Sequence, residues 1–288
     1  MSDIRVSFEF FPPKTEALEV SLWQAIEKLA PLNPSFVSVT YGAGGTTRDR
    51  THKTVARIVQ ETDLQPAAHL TCVGASKADV DSVLRDYWAA GVKRIVALRG
   101  DPPAGVSAKF EPHPEGYANA AELVAGAREI APFDISVAVH PEKHPDSPDW
   151  AHEIDNFKRK LDSGASRGVS QMFFEADVFL RFRDRLAAAG VNAPVLPGLM
   201  PVTNFNGLMK MAKGCGASVP KRLIDMFDGL DDDPETRKLV AAAIATELCT
   251  TLQREGVEDF HFYTLNRADL TLAICRILGL RPPMKAAA

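Results

Sequence analysis

The chain has 288 residues, 45% of them hydrophobic, 8% aromatic and 24% charged, with a formal charge of −4. Such a globular composition excludes a disordered chain, a collagen and a disulfide scaffold, and the length supports a large core without covalent or metal staples. Lys and Arg are scattered, so no nucleic-acid partner is expected, and an anionic ligand must be met by a local cluster of donors. Cys72, Cys215, Cys249 and Cys275 form no C-x-x-C pair and read as free thiols of a reducing compartment. The opening MSDIRVSFEF is unlike a secretory signal, and no apolar run approaches the ~18 residues of a transmembrane helix. The expectation is a cytoplasmic protein with no membrane partner.

Along the chain, short apolar β-branched runs alternate with amphipathic segments. The strand candidates are Ile4 to Phe11, Phe36 to Tyr41, Ala67 to Val73, Arg94 to Leu98, Ile135 to His140, Val169 to Glu175, Pro194 to Met200 and Asp259 to Thr264. Near-continuous apolar runs suit strands covered on both faces, as in a parallel sheet. Helices fit Leu18 to Leu29, Arg48 to Thr62, Lys77 to Ala90, Ala118 to Ile130, Trp150 to Ser163, Val178 to Ala189 and Arg267 to Leu278. In the third, Val80, Val83, Leu84, Tyr87 and Trp88 form an i, i+3, i+4, i+7, i+8 stripe, with Ser76 as N-cap and Gly91 at C′. Eight strands, each followed by a helix, predict an α/β fold: a single (β/α)8 TIM barrel over 1–288. An open doubly wound sheet is the alternative. The interval Pro201 to Glu258 is too long for one crossover, so extra helices are expected between strands seven and eight, near 205–213, 220–227 and 234–255. Asp231 to Asp233 before Pro234 lacks a calcium-loop pattern and reads as a helix cap.

In a barrel, chemistry belongs to the C-terminal strand ends. There the sequence places Glu9, Thr40 and Tyr41, His69, Arg99 and Asp101, His140 and His144, Gln171, and Asn266 and Arg267. Glu9 lies between Phe8 and Phe10. Burial among rings would keep it protonated, as a general acid requires; a structural ion pair with Arg or Lys is the other reading. RIVALRGDPP ends a strand in Arg99-Gly100-Asp101, where Gly100 would admit a ligand close to the backbone. TYGAGGTTRDR, from Thr40, is glycine-rich but fails both the dinucleotide and the Walker fingerprints. The prolines of HPEKHP argue against a helical His140/His144 zinc site, and no metal is expected. NFKRK, from Asn156 to Lys160, could give charge-assisted donors to a diphosphate.

Taken in order, VSFEFFPPKT, FVSVTYGAGG, AAHLTC, IVALRGDPP, FDISVAVHPEKHP, FKRKLDSGA, QMFFE, PGLMPV and REGVEDFHFYTLNRA resemble one family, the short bacterial methylenetetrahydrofolate reductases. The resemblance runs from Val6 to about Pro282. It implies a barrel that holds FAD noncovalently and reduces 5,10-methylenetetrahydrofolate to 5-methyltetrahydrofolate. NADH or NADPH first reduces the flavin and leaves, and the folate then takes its place. The family's positions put the general acid at Glu9. They put FAD contacts at Thr40, Tyr41, Ala43, His69, Arg99, Gly100, Asp101, Ala118, His140, His144, Glu153, Asn156, Arg159 and Lys160. Substrate contacts fall on Asp101, Gln171 and Arg267. The family also implies self-association into a homo-oligomer. His140 stands where relatives carry Tyr, Glu153 where they carry Asp, Gly207 for a substrate-binding Gln, and Met211 for a Phe. The last two changes motivate an alternative, a flavin-binding but catalytically silent partner subunit. A flavin-free lyase or aldolase would need a Schiff-base lysine at a strand end, and none is found there.

Overall fold

The computed structural model describes residues 4–42, 47–102, 110–202 and 204–282. Among the described residues nine parallel strands form one sheet: β1 Arg5–Phe10, β2 Val37–Val39, β3 Pro66–Thr71, β4 Arg94–Leu98, β5 Asp134–Val139, β6 Arg167–Ser170, β7 Val195–Leu196, β8 Gly198–Leu199 and β9 Asp259–Tyr263. Their order is β7-β6-β5-β4-β3-β2-β1-β9-β8. The outermost pair, β7 and β8, are adjacent in sequence and separated only by Pro197, which has no N–H for the ladder. β7 pairs with β6 and β8 with β9, while the Pro197 carbonyl accepts from the His261 N–H at 3.0 Å. The ring therefore closes through a divided seventh stave, and the predicted eight-stave barrel holds.

The helices are α1 Glu16–Leu29, α2 Arg48–Glu61, α3 Lys77–Ala89, α4 Ala120–Ile130, α5 Trp150–Asp162, α6 Ala176–Ala188, α7 Phe205–Cys215, α8 Lys221–Phe227, α9 Pro234–Arg254 and α10 Ala268–Ile277. Their ends follow side-chain caps. Ser76 Oγ accepts from the Asp79 N–H, and Gly91 takes φ +89°, as expected. Asp233 caps α9 with Pro234 at its first turn. α4 starts two residues later than predicted because Asn119, not Ala118, supplies the capping oxygen. β6 ends at Ser170 rather than Glu175. There Ser170 Oγ accepts from the Gly198 N–H at 2.8 Å and its carbonyl accepts from Tyr263 Oη at 2.6 Å, which ties β6 to β8 and β9. A Cβ on Gly198 would stand 2.1 Å from that carbonyl, so the closure needs a glycine.

Side chains alternate across the barrel wall. Val6, Phe8 and Phe10 of β1 point outward into the main core, which holds Leu22, Ile26 and Leu29 of α1 and Phe260 and Phe262 of β9. Each such buried side chain contributes about 1.5–3 kcal/mol. Ser7 and Glu9 point into the lumen. The lumen is layered. Near the N-terminal ends of the strands, Asp134 takes Arg94 Nη1 at 2.6 Å and Arg167 Nη1 at 2.9 Å. Above them Phe36, Ala67, Val96 and Leu196 form an apolar plug. Above that the lumen turns polar again.

Candidate active site

The polar layer is centred on Glu9, which is paired in register with Ser38 of β2 and Tyr263 of β9. One carboxylate oxygen, Oε2, lies 3.2 Å from His69 Nε2, 3.6 Å from His261 Nε2 and 3.4 Å from Ser38 Oγ, which donates to it. The other, Oε1, makes no hydrogen bond or ion pair with any described residue. The Glu9 side chain retains 12% exposure. Phe8 and Phe10, its neighbours in sequence, lie on the opposite face of β1 and do not surround it.

That geometry corrects the expectation of a carboxyl kept protonated by phenyl rings. Burial pushes the group up. Charge on His69 and hydrogen bonds and charge from His261 and His69 outweigh it, and the carboxyl is held down at about 2. The unliganded group is a carboxylate beside two imidazoles, not a neutral acid, and its partners are neither Arg nor Lys. His69 Nε2 is fully buried and, despite its 3.2 Å separation from Oε2, makes no well-directed hydrogen bond.

Above this layer a cleft of about 460 Å3 opens at the C-terminal mouth. Of the predicted site residues, Tyr41, Arg99, Gly100, Asp101, Ala118, His140, His144, Asn156, Arg159, Lys160 and Gln171 line it. Thr71, on the same face of β3 as His69 and two residues further up, also lines it, and its buried hydroxyl has no partner. Thr40 and Glu153 stand behind the wall. The Thr40 carbonyl accepts from Thr51 Oγ1 at 2.8 Å. Ala43 lies outside the described residues. Arg267 is exposed at the start of α10 and lines a separate hollow between α1, α9 and α10. The structure does not bring it to the cleft.

Gly100 has φ +85°, and a Cβ there would stand 2.5 Å from Val73 Cγ1. The glycine is needed for packing against the exit of β3, a different reason from the expected ligand approach. Arg99 is held by Asp146 at 3.0 Å and lies 4.6 Å from the Phe110 ring. His140 and His144 meet edge to face at 4.7 Å. Burial, the neighbouring His140 and Arg99 push His144 down to about 4, and its Nδ1 accepts from the Asp146 N–H at 3.0 Å. His144 therefore stays neutral at pH 7, its remaining ring proton on Nε2. Glu153 accepts from Ser147 Oγ and the His144 N–H. Burial works against its ionised form, but the hydrogen bonds from His140 and Ser147 prevail and hold it at about 2. It braces the loop rather than facing a ligand. Burial lowers Lys160 to about 8, and its Nζ donates to the Ala138 carbonyl at 2.8 Å.

Sequence reading missed His261, Ser38 and Ser7. The signal was present: in DFHFYT, alternation sets His261 and Tyr263 on the face opposite Phe260 and Phe262. Asp146 and Phe110, which hold Arg99, carried no motif and are found only through the fold.

The residues present fit a flavin dinucleotide. Arg99 and Arg159 offer charge to a diphosphate, Tyr41 and Phe110 offer aromatic walls, and the buried Thr71 Oγ1, which has no partner among the described residues, awaits a polar ligand. Among the described residues no cluster of three or more His, Cys, Asp or Glu could hold a metal.

A parallel barrel with a carboxylate–imidazole group beneath a cationic cleft at its C-terminal mouth is the layout of a barrel enzyme. Residues 1–279 match the family model described as methylenetetrahydrofolate reductase, and the chain belongs to that family. It is 50% identical over 279 residues to the 5,10-methylenetetrahydrofolate reductase of Escherichia coli K12, covering 97% of this chain and 92% of that one. The Pectobacterium carotovorum enzyme of the same name is 49% identical, at 97% and 91% coverage. Methylenetetrahydrofolate reductase (NADH) 1 of Arabidopsis thaliana is 35% identical, over 95% of this chain and 48% of that protein. Among solved structures, a Clostridium thermocellum protein that binds two copies of 5-methyl-5,6,7,8-tetrahydrofolic acid superposes with a TM-score of 0.65. It is 13% identical and covers 96% of this chain and 94% of that one, which speaks to the fold alone. Family membership makes methylenetetrahydrofolate reduction the reaction class. No helix among the described residues is long and apolar enough to cross a membrane.

Proposed function

We propose that the chain reduces 5,10-methylenetetrahydrofolate to 5-methyltetrahydrofolate with FAD, reduced in a first half-reaction by NADH or NADPH that departs before folate enters. The observation that carries this reading is the carboxylate–imidazole group at Glu9, which leaves Oε1 free beneath a cleft suited to a flavin. A bound flavin supplies the hydride.

The protein's own task is the proton. The five-membered ring of the substrate opens when N10 is protonated, leaving a cationic methylene iminium at N5. In the unliganded site the carboxylate is stabilised by the imidazoles. A pterin over Oε1 removes the remaining water contact and raises the carboxyl's proton affinity. The proton then moves from imidazole to carboxyl and on to N10. Asp101, at the rim, places negative charge where the iminium forms. Gln171 accepts from the Met172 N–H at 2.9 Å through Oε1, which leaves its amide hydrogens to orient the pterin. Arg267 stands outside the cleft, where it would meet the carboxylates of the glutamyl tail.

An anaerobic visible spectrum tests the scheme. The purified protein should show oxidised flavin that NADH or NADPH bleaches and methylenetetrahydrofolate restores. A colourless protein that cannot be loaded with FAD would overturn it. Bound flavin that no donor reduces would support the silent-partner reading.

A further inference from the structure

One polar atom in the wall of the cleft stands without a partner among the described residues. Thr71 is 5% exposed, and its Oγ1 is buried and makes no hydrogen bond. In the unfolded chain water bonds that hydroxyl; in the folded chain the bonds are lost and nothing replaces them. An orphaned hydroxyl at the edge of a cleft points to a ligand that supplies the missing partner.

The strand sets the level at which that partner must stand. β3 turns Ala67, His69 and Thr71 to the lumen. Thr71 is the last residue of β3, one lumen layer above His69, or roughly 6–7 Å along the strand. His69 is itself the neighbour of Glu9 at 3.2 Å. Beside Thr71 in register stands Leu98 of β4, whose side chain has nothing polar to offer. A Cβ on Gly100 would stand 2.9 Å from the Thr71 Cβ, so the threonine is packed against the exit of β4. Two cations of the cleft are committed elsewhere. Arg99 donates to Asp146 at 3.0 Å beside the Phe110 ring, and Lys160 donates to the Ala138 carbonyl at 2.8 Å. The orphaned hydroxyl thus lies just above the Glu9 layer, where the reacting end of a ligand belongs, rather than with the charges suited to a diphosphate.

We propose that Thr71 is a flavin-binding residue whose hydroxyl hydrogen-bonds the edge of the isoalloxazine that carries nitrogens and carbonyls. A hydroxyl can donate once and accept twice. The dimethylbenzene edge of the ring has neither donor nor acceptor and would leave the hydroxyl as orphaned as before. The bond therefore turns the heteroatoms of the ring toward β3 and holds them one layer above His69. No covalent or redox step is involved. The inference rests on the reading of the cleft as a flavin site and adds a residue that no motif marked.

The test compares Thr71→Val, which keeps the shape of the side chain without its hydroxyl, with Thr71→Ser, which keeps the hydroxyl. Release of FAD from diluted holoenzyme is followed by the return of free-flavin fluorescence. Release should be roughly threefold to tenfold faster in Thr71→Val, and Thr71→Ser should stay within about twofold of the native chain. ADP, which has the diphosphate and adenosine but no ring, should bind native and Thr71→Val chains equally in titration calorimetry. Thermal melts add a change of sign. Removing an unpaired buried hydroxyl should raise the midpoint of the flavin-free chain, while losing its bond to flavin should lower that of the holoenzyme. A threonine with a structural role alone would lower both. Unchanged FAD release in Thr71→Val, or a lowered flavin-free midpoint, overturns the proposal. An equal loss of ADP affinity overturns the assignment to the ring. Should the flavin-free chain not fold, the release rates of the two variants decide. A native chain that takes up no FAD would instead bring down the flavin reading itself.

Discussion

The two ends of the barrel lumen each set a carboxylate between two nitrogen bases, and they differ in one respect. At the lower end Asp134 is gripped by Arg94 and, through both guanidinium nitrogens, by Arg167. Burial works against its ionised form, but the arginines prevail and hold it below the usual carboxylate range. At the upper end Glu9 is held down to about 2, by imidazoles. A guanidinium never releases its proton in a protein, whereas an imidazole does so near neutrality. The lower end is therefore a fixed ionic strut, and the upper end is where the proposed function has a proton change owner. The same fold and the same sign of shift give structure at one end and, on the proposed function, chemistry at the other.

The sharpest way to break this comparison is to neutralise both carboxylates in turn. Glu9→Gln should lower single-turnover folate reduction by roughly 10²–10⁴-fold while flavin reduction by NADH or NADPH persists. Asp134→Asn should leave both half-reactions within about twofold. Equal losses in the two variants would erase the distinction.

Next in size is the closure that both ends share. Gly198→Ala drives a Cβ into the Ser170 carbonyl and the Tyr263 hydroxyl, 2.1 and 2.5 Å away. A loss of about 2–4 kcal/mol is expected, read from the urea midpoint. An unchanged midpoint would mean that β7 and β8 do not close the ring as described. Asp134→Asn itself should cost about 1–3 kcal/mol, because two half-buried guanidinium groups lose their partner.

The smallest effect separates the two ends by acid. Carboxylates at both ends are stabilised in the folded chain, so both lose their contribution in acid, that of Glu9 as pH falls from 4.5 towards 2. His144 acts earlier and only at the mouth. Its folded form favours the neutral ring down to about 4, against 6.5 when free. Its contribution is present above pH 6.5 and fades as pH falls through 4. Thermal melts of native protein and His144→Asn should therefore converge between pH 6.5 and 4. Parallel curves across that window would show that His144 is not held neutral.

Much of this could be read from the chain. The apolar runs located the staves, and Ser76, Asp233 and Gly91 marked helix ends because caps act within a few residues. The cleft residues were legible because motifs such as RGDPP and NFKRK are local. The environment of Glu9 was not. In VSFEFF the phenyl groups are its nearest neighbours along the chain, yet a strand turns successive side chains to opposite faces, and Glu9 looks away from both. Nor could the sequence show that Gly100 is also needed for packing on Val73, or that Arg267 leaves the cleft for a hollow of its own.

What the sequence determined by itself was the periodicity: which segments become staves, which become helices, and which polar residues stand at the C-terminal strand ends. Those are matters of spacing along one strand or one turn. Ring closure at Pro197 and the meeting of Glu9, His69 and His261, which lie 60 and 252 positions from Glu9 in the chain, were decided only when the sheet curled on itself. Whether a carboxylate is acid, base or strut depends on charges within a few ångströms. Contacts at that distance join residues from strands far apart in the chain, so only the folded barrel sets them.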